Sequence, residues 1–304
     1  PCFPIIVTHG HAADLVEKNV DYIWLPNILS APTRFMDNES QVCPWGQTLP
    51  FVLRQAPAFR EWNGRIICPT VRLREGPEAL RQVLIETAGT LGVDRATATR
   101  AFDLAWNSYN HYRREYQKAG REALDILEKS GESGMVLVGR PYNVHDGGVS
   151  LSVARKLREL YGVNVLPIDA LPVDDVDIRD VNDNMFWEYG RKILAAARIV
   201  GRYPHLHIIY ITNFKCGPDS FVKGFIRPAS GKPFLTLQFD GHSNDAGMMT
   251  RCEAYLDSKG ILRWWRTCKS EKASKVEPST SPRWPMPEPG LLPPRSDRPV
   301  STRP

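Results

Sequence analysis

Apolar residues occur along this chain in two kinds of run. Short unbroken stretches stand at Phe3–Thr8, Tyr22–Pro26, Arg65–Pro69, Gly134–Gly139, Val163–Pro167, His207–Thr212 and Pro233–Phe239. They do not alternate with polar residues, which is the pattern of strands buried on both faces of a parallel sheet. The first of them is predicted as a strand that ends in a turn at His9-Gly10-His11. Segments with helical spacing lie between, at 12–19, Gln47–Arg54, Leu151–Tyr161, Glu188–Val200 and Ala246–Ser258. Residues 77–131 differ. There Leu80, Val83, Leu84, Ala88 and Leu91 recur at helical intervals, as do Ala101, Leu104, Ala105, Tyr109, Tyr112 and Tyr116. The pattern predicts an α/β protein with two Rossmann-like or flavodoxin-like parallel-sheet domains joined by a helical segment. The expected boundaries are 1–75 for the first α/β domain, 76–132 for the connector and 133–266 for the second. Periodicity dissolves after Gly260. Residues 267–304 are rich in Pro, Ser, Lys and Arg and are expected to form a disordered tail that includes Cys268.

Composition narrows the class. The chain has 304 residues, 42% hydrophobic and 24% charged, with a net charge of +5. Nothing resembles a basic stripe interleaved with aromatics, so nucleic acid is not the expected partner. No apolar run approaches the roughly 18 residues of a membrane span, and no signal peptide opens the sequence. Six cysteines are too sparse for a secreted disulfide scaffold. A reducing cytoplasm is the expected setting. The first residue is proline and Cys2 already sits in a motif, so the chain reads as a fragment whose N-terminal part is missing.

Three cysteines share an unusual setting, each beside a proline or a Gly-Pro: Pro-Cys2-Phe-Pro, Val-Cys43-Pro-Trp-Gly-Gln and Lys-Cys216-Gly-Pro-Asp-Ser. Proline fixes φ and removes an N–H, while glycine allows close backbone approach. Such loops hold a thiolate rigidly beside something bulky, and an iron–sulfur cluster is the leading occupant. Zinc competes, with His9 or His11 as a fourth ligand. Cys68 and Cys252 read as buried small hydrophobes. Gly139-Arg140-Pro141-Tyr142-Asn143-Val144-His145-Asp146 follows a strand, where a βα turn commonly binds anions. Arg140 and Asn143 are its candidate cofactor-binding residues, against the plainer reading of a rigid turn capped by Asp146. No Rossmann or Walker fingerprint accompanies it. His242, in Asp240-Gly-His-Ser-Asn-Asp245, is a candidate for proton transfer together with His9 and His11, whereas Asp245 reads as a helix N-cap. The acidic stretch Leu171–Asn184 lacks the glycine and glutamate of a calcium loop and reads as a solvated loop.

With these residues in view, the chain resembles the C-terminal, DUF2229-type region of acyl-CoA dehydratase activase-related proteins. That region is similar in turn to the cluster-binding subunits of 2-hydroxyacyl-CoA dehydratases. The segments that carry the likeness include Cys-Phe-Pro-Ile-Ile-Val-Thr-His-Gly-His, Cys-Pro-Trp-Gly-Gln-Thr-Leu-Pro, Val-Gly-Arg-Pro-Tyr-Asn, Thr-Asn-Phe-Lys-Cys-Gly-Pro-Asp-Ser and Asp-Gly-His-Ser-Asn-Asp-Ala-Gly-Met-Met-Thr-Arg-Cys. The likeness runs from residue 1 to about 266.

The resemblance implies a [4Fe–4S] cluster held by Cys2, Cys43 and Cys216 with one iron left open. It implies an ATPase activase domain or subunit as electron donor, a dehydratase partner subunit, and a substrate such as an acyl-CoA thioester. The expected function is acceptance of a low-potential electron for reductive activation of that substrate, as a lyase- or oxidoreductase-like component. Two alternatives stand beside it: a non-catalytic electron-transfer or docking module, and a cluster-free structural α/β fragment.

Overall fold

The computed structural model describes residues 1–35 and 39–262. The predicted tail, with Cys268, lies outside them. The chain opens on a helix, α1 (Phe3–Glu17), followed by β1 (Ile23–Trp24) and β2 (Asn27–Ser30), then α2 (Pro44–Gln55), β3 (Ile66–Ile67) and β4 (Thr70–Arg72). The expected strand at Phe3–Thr8 is therefore corrected, and the separate helix over 12–19 merges into α1. Pro4 stands in the first turn, where its missing N–H costs nothing and its φ already suits a helix. Ile5 and Ala12, seven residues apart, bury one face, and this tertiary contact overrides the strand propensity of Ile5-Ile6-Val7-Thr8.

β1 pairs with β3 and β2 with β4, both parallel. Leu25 N–H donates to the Ile67 carbonyl at 2.9 Å and Asn27 N–H to that of Pro69 at 2.8 Å, so the two short pairs continue one ribbon. Pro26 and Pro69, which have no N–H to give, divide it. A small core of Ala12, Ile23, Leu53, Phe59 and Ile66 backs this ribbon.

α3 (Pro77–Thr90) and α4 (Arg95–Ser130) form the predicted helical segment. Asp94 caps α4 by accepting from Thr97 N–H at 3.0 Å, and Gly131 ends it in the left-handed conformation. Beyond lie β5 (Gly134–Gly139), α5 (Pro141–His145), α6 (Val153–Tyr161), β6 (Asn164–Pro167), α7 (Glu188–Gly201), β7 (Leu206–Asn213), α8 (Gly217–Ser230), β8 (Leu235–Phe239) and α9 (Asp245–Ser258). α5 and α8 were not foreseen. Asn244, not Asp245, caps α9, accepting from Gly247 N–H at 3.0 Å.

The second sheet has the order β6-β5-β7-β8, all parallel. Met135–Val138 and Ile208–Ile211 are wholly buried, as the unbroken apolar runs require. β5 leads to β6 on one side and β7 leads to β8 on the other, so strand order reverses between β5 and β7. Ligands of open α/β sheets bind at the carboxyl ends of strands at such a switch point. The two halves meet through Gln41: it bridges Ser30 and Trp187, its N–H donating to the Phe186 carbonyl at 3.1 Å and its carbonyl accepting from Glu188 N–H at 3.1 Å. That stitch immediately precedes Cys43.

Candidate functional site

The three cysteines are built alike. Cys2, Cys43 and Cys216 are the N-cap residues of α1, α2 and α8, and each helix has proline in its first turn. None of the three side chains makes a capping hydrogen bond. Each helix start carries partial positive charge, and at Cys2 and Cys216 the N–H groups of Ile5 and Asp219 work against the rise of the thiol. The expectation of thiols on converging loops is refined: they sit on helix starts. Lys215, just before Cys216, has φ 64 without being glycine, so the backbone entering that cap is in a conformation L-residues seldom adopt.

Arg140 ties the set together. It follows β5, is 2% exposed, and donates from Nε to Asp219 Oδ1 at 2.9 Å. Asp219 lies in the first turn of α8, three residues after Cys216, and also accepts from Thr212 Oγ1 at 2.7 Å. Gly139, just before it, lets β5 lie close on β7, since a Cβ there would stand 2.5 Å from the Ile211 carbonyl. Burial works against the Arg140 charge, but Asp219, Tyr142, Cys216 and Cys43 all favour it. Burial pushes the Cys216 thiol up to about 12, with Asp219 adding to the rise and Arg140 opposing it. Burial also raises the Cys2 thiol; the Ile5 N–H opposes, the neighbouring Cys43 adds, and Arg140 lowers. The electrostatics of all three cysteines therefore meet at one buried guanidinium.

Two buried amides beside it are incompletely paired. Asn143, on α5, reaches the Ile211 carbonyl with Nδ2 at 3.5 Å, and its Oδ1 has no partner. Asn213, the last residue of β7, leaves Nδ2 without one. An unsatisfied buried polar group costs about 1–3 kcal/mol, so polar atoms from an occupant would relieve both. Tyr142 lies in the same field, its phenol raised well above the usual range chiefly by burial, with Arg140 opposing.

The histidines stand differently. His9 Nδ1 lies 2.8 Å from the Ile5 carbonyl, and its ring packs edge-on against Phe59. His11 is exposed. His242 has a fully solvated side chain, 98% exposed and 3.9 Å from Asp240; a Cβ added at the adjoining Gly241 would stand 3.8 Å from the Phe3 ring of α1. Cys252 is buried against Met248, as expected, whereas Cys68 is only half-buried. Among the described residues no group of three or more His, Cys, Asp or Glu could hold a single metal ion. The acidic stretch is less solvated than expected at Asp174, which pairs with Arg113 at 2.7 Å.

Asp219, Thr212 and Asn213 were missed in the sequence. Asp219 alone had a signal, three residues after a cysteine that begins a helix. Among the described residues no helix is long and apolar enough to cross a membrane. No curated protein and no solved structure matches the chain. The family model described as the CoA enzyme activase uncharacterised domain (DUF2229) matches residues 1–171, which include Cys2, Cys43, Arg140 and Asn143 and stop short of Cys216. With more than half of its length matched, the chain belongs to the CoA enzyme activase uncharacterised domain family.

Proposed function

We propose that this chain is an iron–sulfur protein of the 2-hydroxyacyl-CoA dehydratase and activase type, with Cys2, Cys43 and Cys216 holding a [4Fe–4S] cluster. One observation carries the reading: three cysteines cap three helices, each with proline in the first turn, and share the field of buried Arg140. The residues fit the group. A cluster needs thiolates, a partly dry pocket and N–H donors near its sulfurs, and each cysteine would serve a separate iron, so the three need not crowd as ligands of one ion do. When bound, such a group supplies a low-potential electron, received from an ATP-driven activase, to a substrate such as an acyl-CoA thioester.

The protein's own residues have definable parts. Each thiol gives up its proton on ligation, and the helix starts and Arg140 favour the negative charge left behind. Arg140 and Asn143 stand just beyond the carboxyl end of β5 and Asn213 at that of β7, where the unpaired Asn143 Oδ1 would accept from, and the unpaired Asn213 Nδ2 donate to, a bound substrate. His242 is the histidine this reading assigns to proton exchange with solvent, because its side chain is 98% exposed in the turn near Phe3 of the helix that Cys2 caps.

A second reading, a docking or electron-transfer module without its own chemistry, draws on Trp45, Phe214 and Phe221. These are 37%, 51% and 50% exposed beside two of the cysteine caps. Anaerobic reconstitution tests the first premise of both. About four irons and matching sulfide per chain are expected, lost in Cys43→Ser/Cys216→Ser. A folded chain that takes up no iron contradicts the cluster and leaves a structural role.

A further inference from the structure

A cleft of about 620 Å³ opens between α4, α5 and the segment 169–175; none of the cysteines lines it, and it reaches Pro141, next to Arg140. Its charge is unbalanced. Arg113 and Lys192 share one carboxylate, Asp174, at 2.7 and 3.3 Å, and Arg191 reaches the same group at 3.7 Å. Although burial works against it, Lys192 and Arg113 hold that carboxyl below the usual range. Arg114 and Arg121 also line the cleft, and neither has an acidic partner among the described residues. They are seven residues apart with Gln117 between, so all three project from one face of α4.

We propose that this cleft is a second ligand site, one that binds a small phosphorylated anion through Arg114 and Arg121. Two guanidinium forks about 10 Å apart along a helix suit a group with more than one anionic centre. Arginine's planar donors match phosphate oxygens in pairs. Tyr116 lines the cleft and adds a hydroxyl donor, its phenol pushed up to about 12 by burial with Asp169 and Tyr112 adding. His145, held at Nε2 by Asp169 Oδ2 at 2.8 Å, lines the same wall.

The wall is preformed. Gly120 lies within α4, where glycine is less favourable than alanine. A Cβ there would fall 1.9 Å from the Ala170 carbonyl, so glycine is what lets the helix seat directly on the segment that forms the opposite side. The site does not depend on the cysteines holding a cluster.

The test is calorimetric titration of the whole chain with inorganic pyrophosphate in low-salt buffer. The parent chain binds, and Arg114→Ser/Arg121→Ser weakens binding at least tenfold. The control Arg95→Ser/Arg100→Ser removes the same charge from the same helix outside the cleft and leaves the affinity unchanged. All four arginines are exposed, so both variants keep the fold, which thermal melts verify. Citrate, of comparable charge, binds more weakly. Absence of binding by the parent overturns the site. Equal losses in the two double variants reduce it to attraction by a basic helix, and equal affinity for citrate overturns the phosphate assignment.

Discussion

At the residue scale the molecule turns on the buried pair Arg140–Asp219, with exposures of 2% and 1%. Removing one partner of such a pair strands the other charge in a dry environment, at a cost of about 3–5 kcal/mol, whereas replacing both by apolar groups is often close to neutral. Arg140→Met should therefore lower unfolding stability by that amount in urea titrations, and Arg140→Met/Asp219→Leu should recover most of the loss. A single variant as stable as the parent would show that Asp219 is not a buried charge awaiting its partner. Thr212, which donates to the other oxygen of Asp219, is why recovery should be incomplete. Its hydroxyl loses an acceptor in the double variant.

At the element scale, close packing decides what individual helices tolerate. Gly120→Ala should destabilise the chain, because its methyl meets the Ala170 carbonyl, while Gly89→Ala on α3, with nothing within 4 Å, should stabilise it by about 0.5–1 kcal/mol. Opposite signs in parallel thermal melts check the packing of α4, and two stabilising changes would contradict it. Elements of the second half were legible because their apolar runs are long and bounded by glycine and proline. α1 was not, since its β-branched start carries strand propensity and only the burial of Ile5 and Ala12 reveals the helix. α8 was hidden by Gly217, Pro218 and Pro228, which read as breakers although the first two stand in the opening turn and the last near the end. β2 and β4 were hidden by Pro26 and Pro69, which cut each strand into pieces too short to show a pattern.

At the scale of the whole molecule, the alternation of strand and helix announced the parallel sheet and put Arg140 just past the end of one of its strands; the switch point itself came only with the strand order. That Cys2 and Cys43 share the electrostatics of that point was not legible. It depends on Gln41 stitching the halves together by backbone hydrogen bonds that leave no mark on side-chain pattern. The second sheet also carries a pH response. His207, half-buried on β7, is pushed down to about 4 by burial, with Lys259, Lys232 and His205 adding, from an ordinary value of 6.5. The unfolded chain then binds more protons than the folded one between those values, so this contribution is complete above about 6.5 and is lost as pH falls toward about 4. His207→Gln should flatten the stability profile in that window, and an unchanged slope would mean that His207 titrates normally.

The central claim is that three particular cysteines form one site. Five single variants read it most directly: Cys2→Ser, Cys43→Ser, Cys216→Ser, Cys68→Ser and Cys252→Ser, each reconstituted anaerobically and assayed for iron, sulfide and the visible absorption of the bound cluster. The first three variants should lose the cluster or bind it in substoichiometric, labile form, and the last two should retain it as the parent does. Equal retention in all five, or loss centred on Cys68 or Cys252, would contradict it.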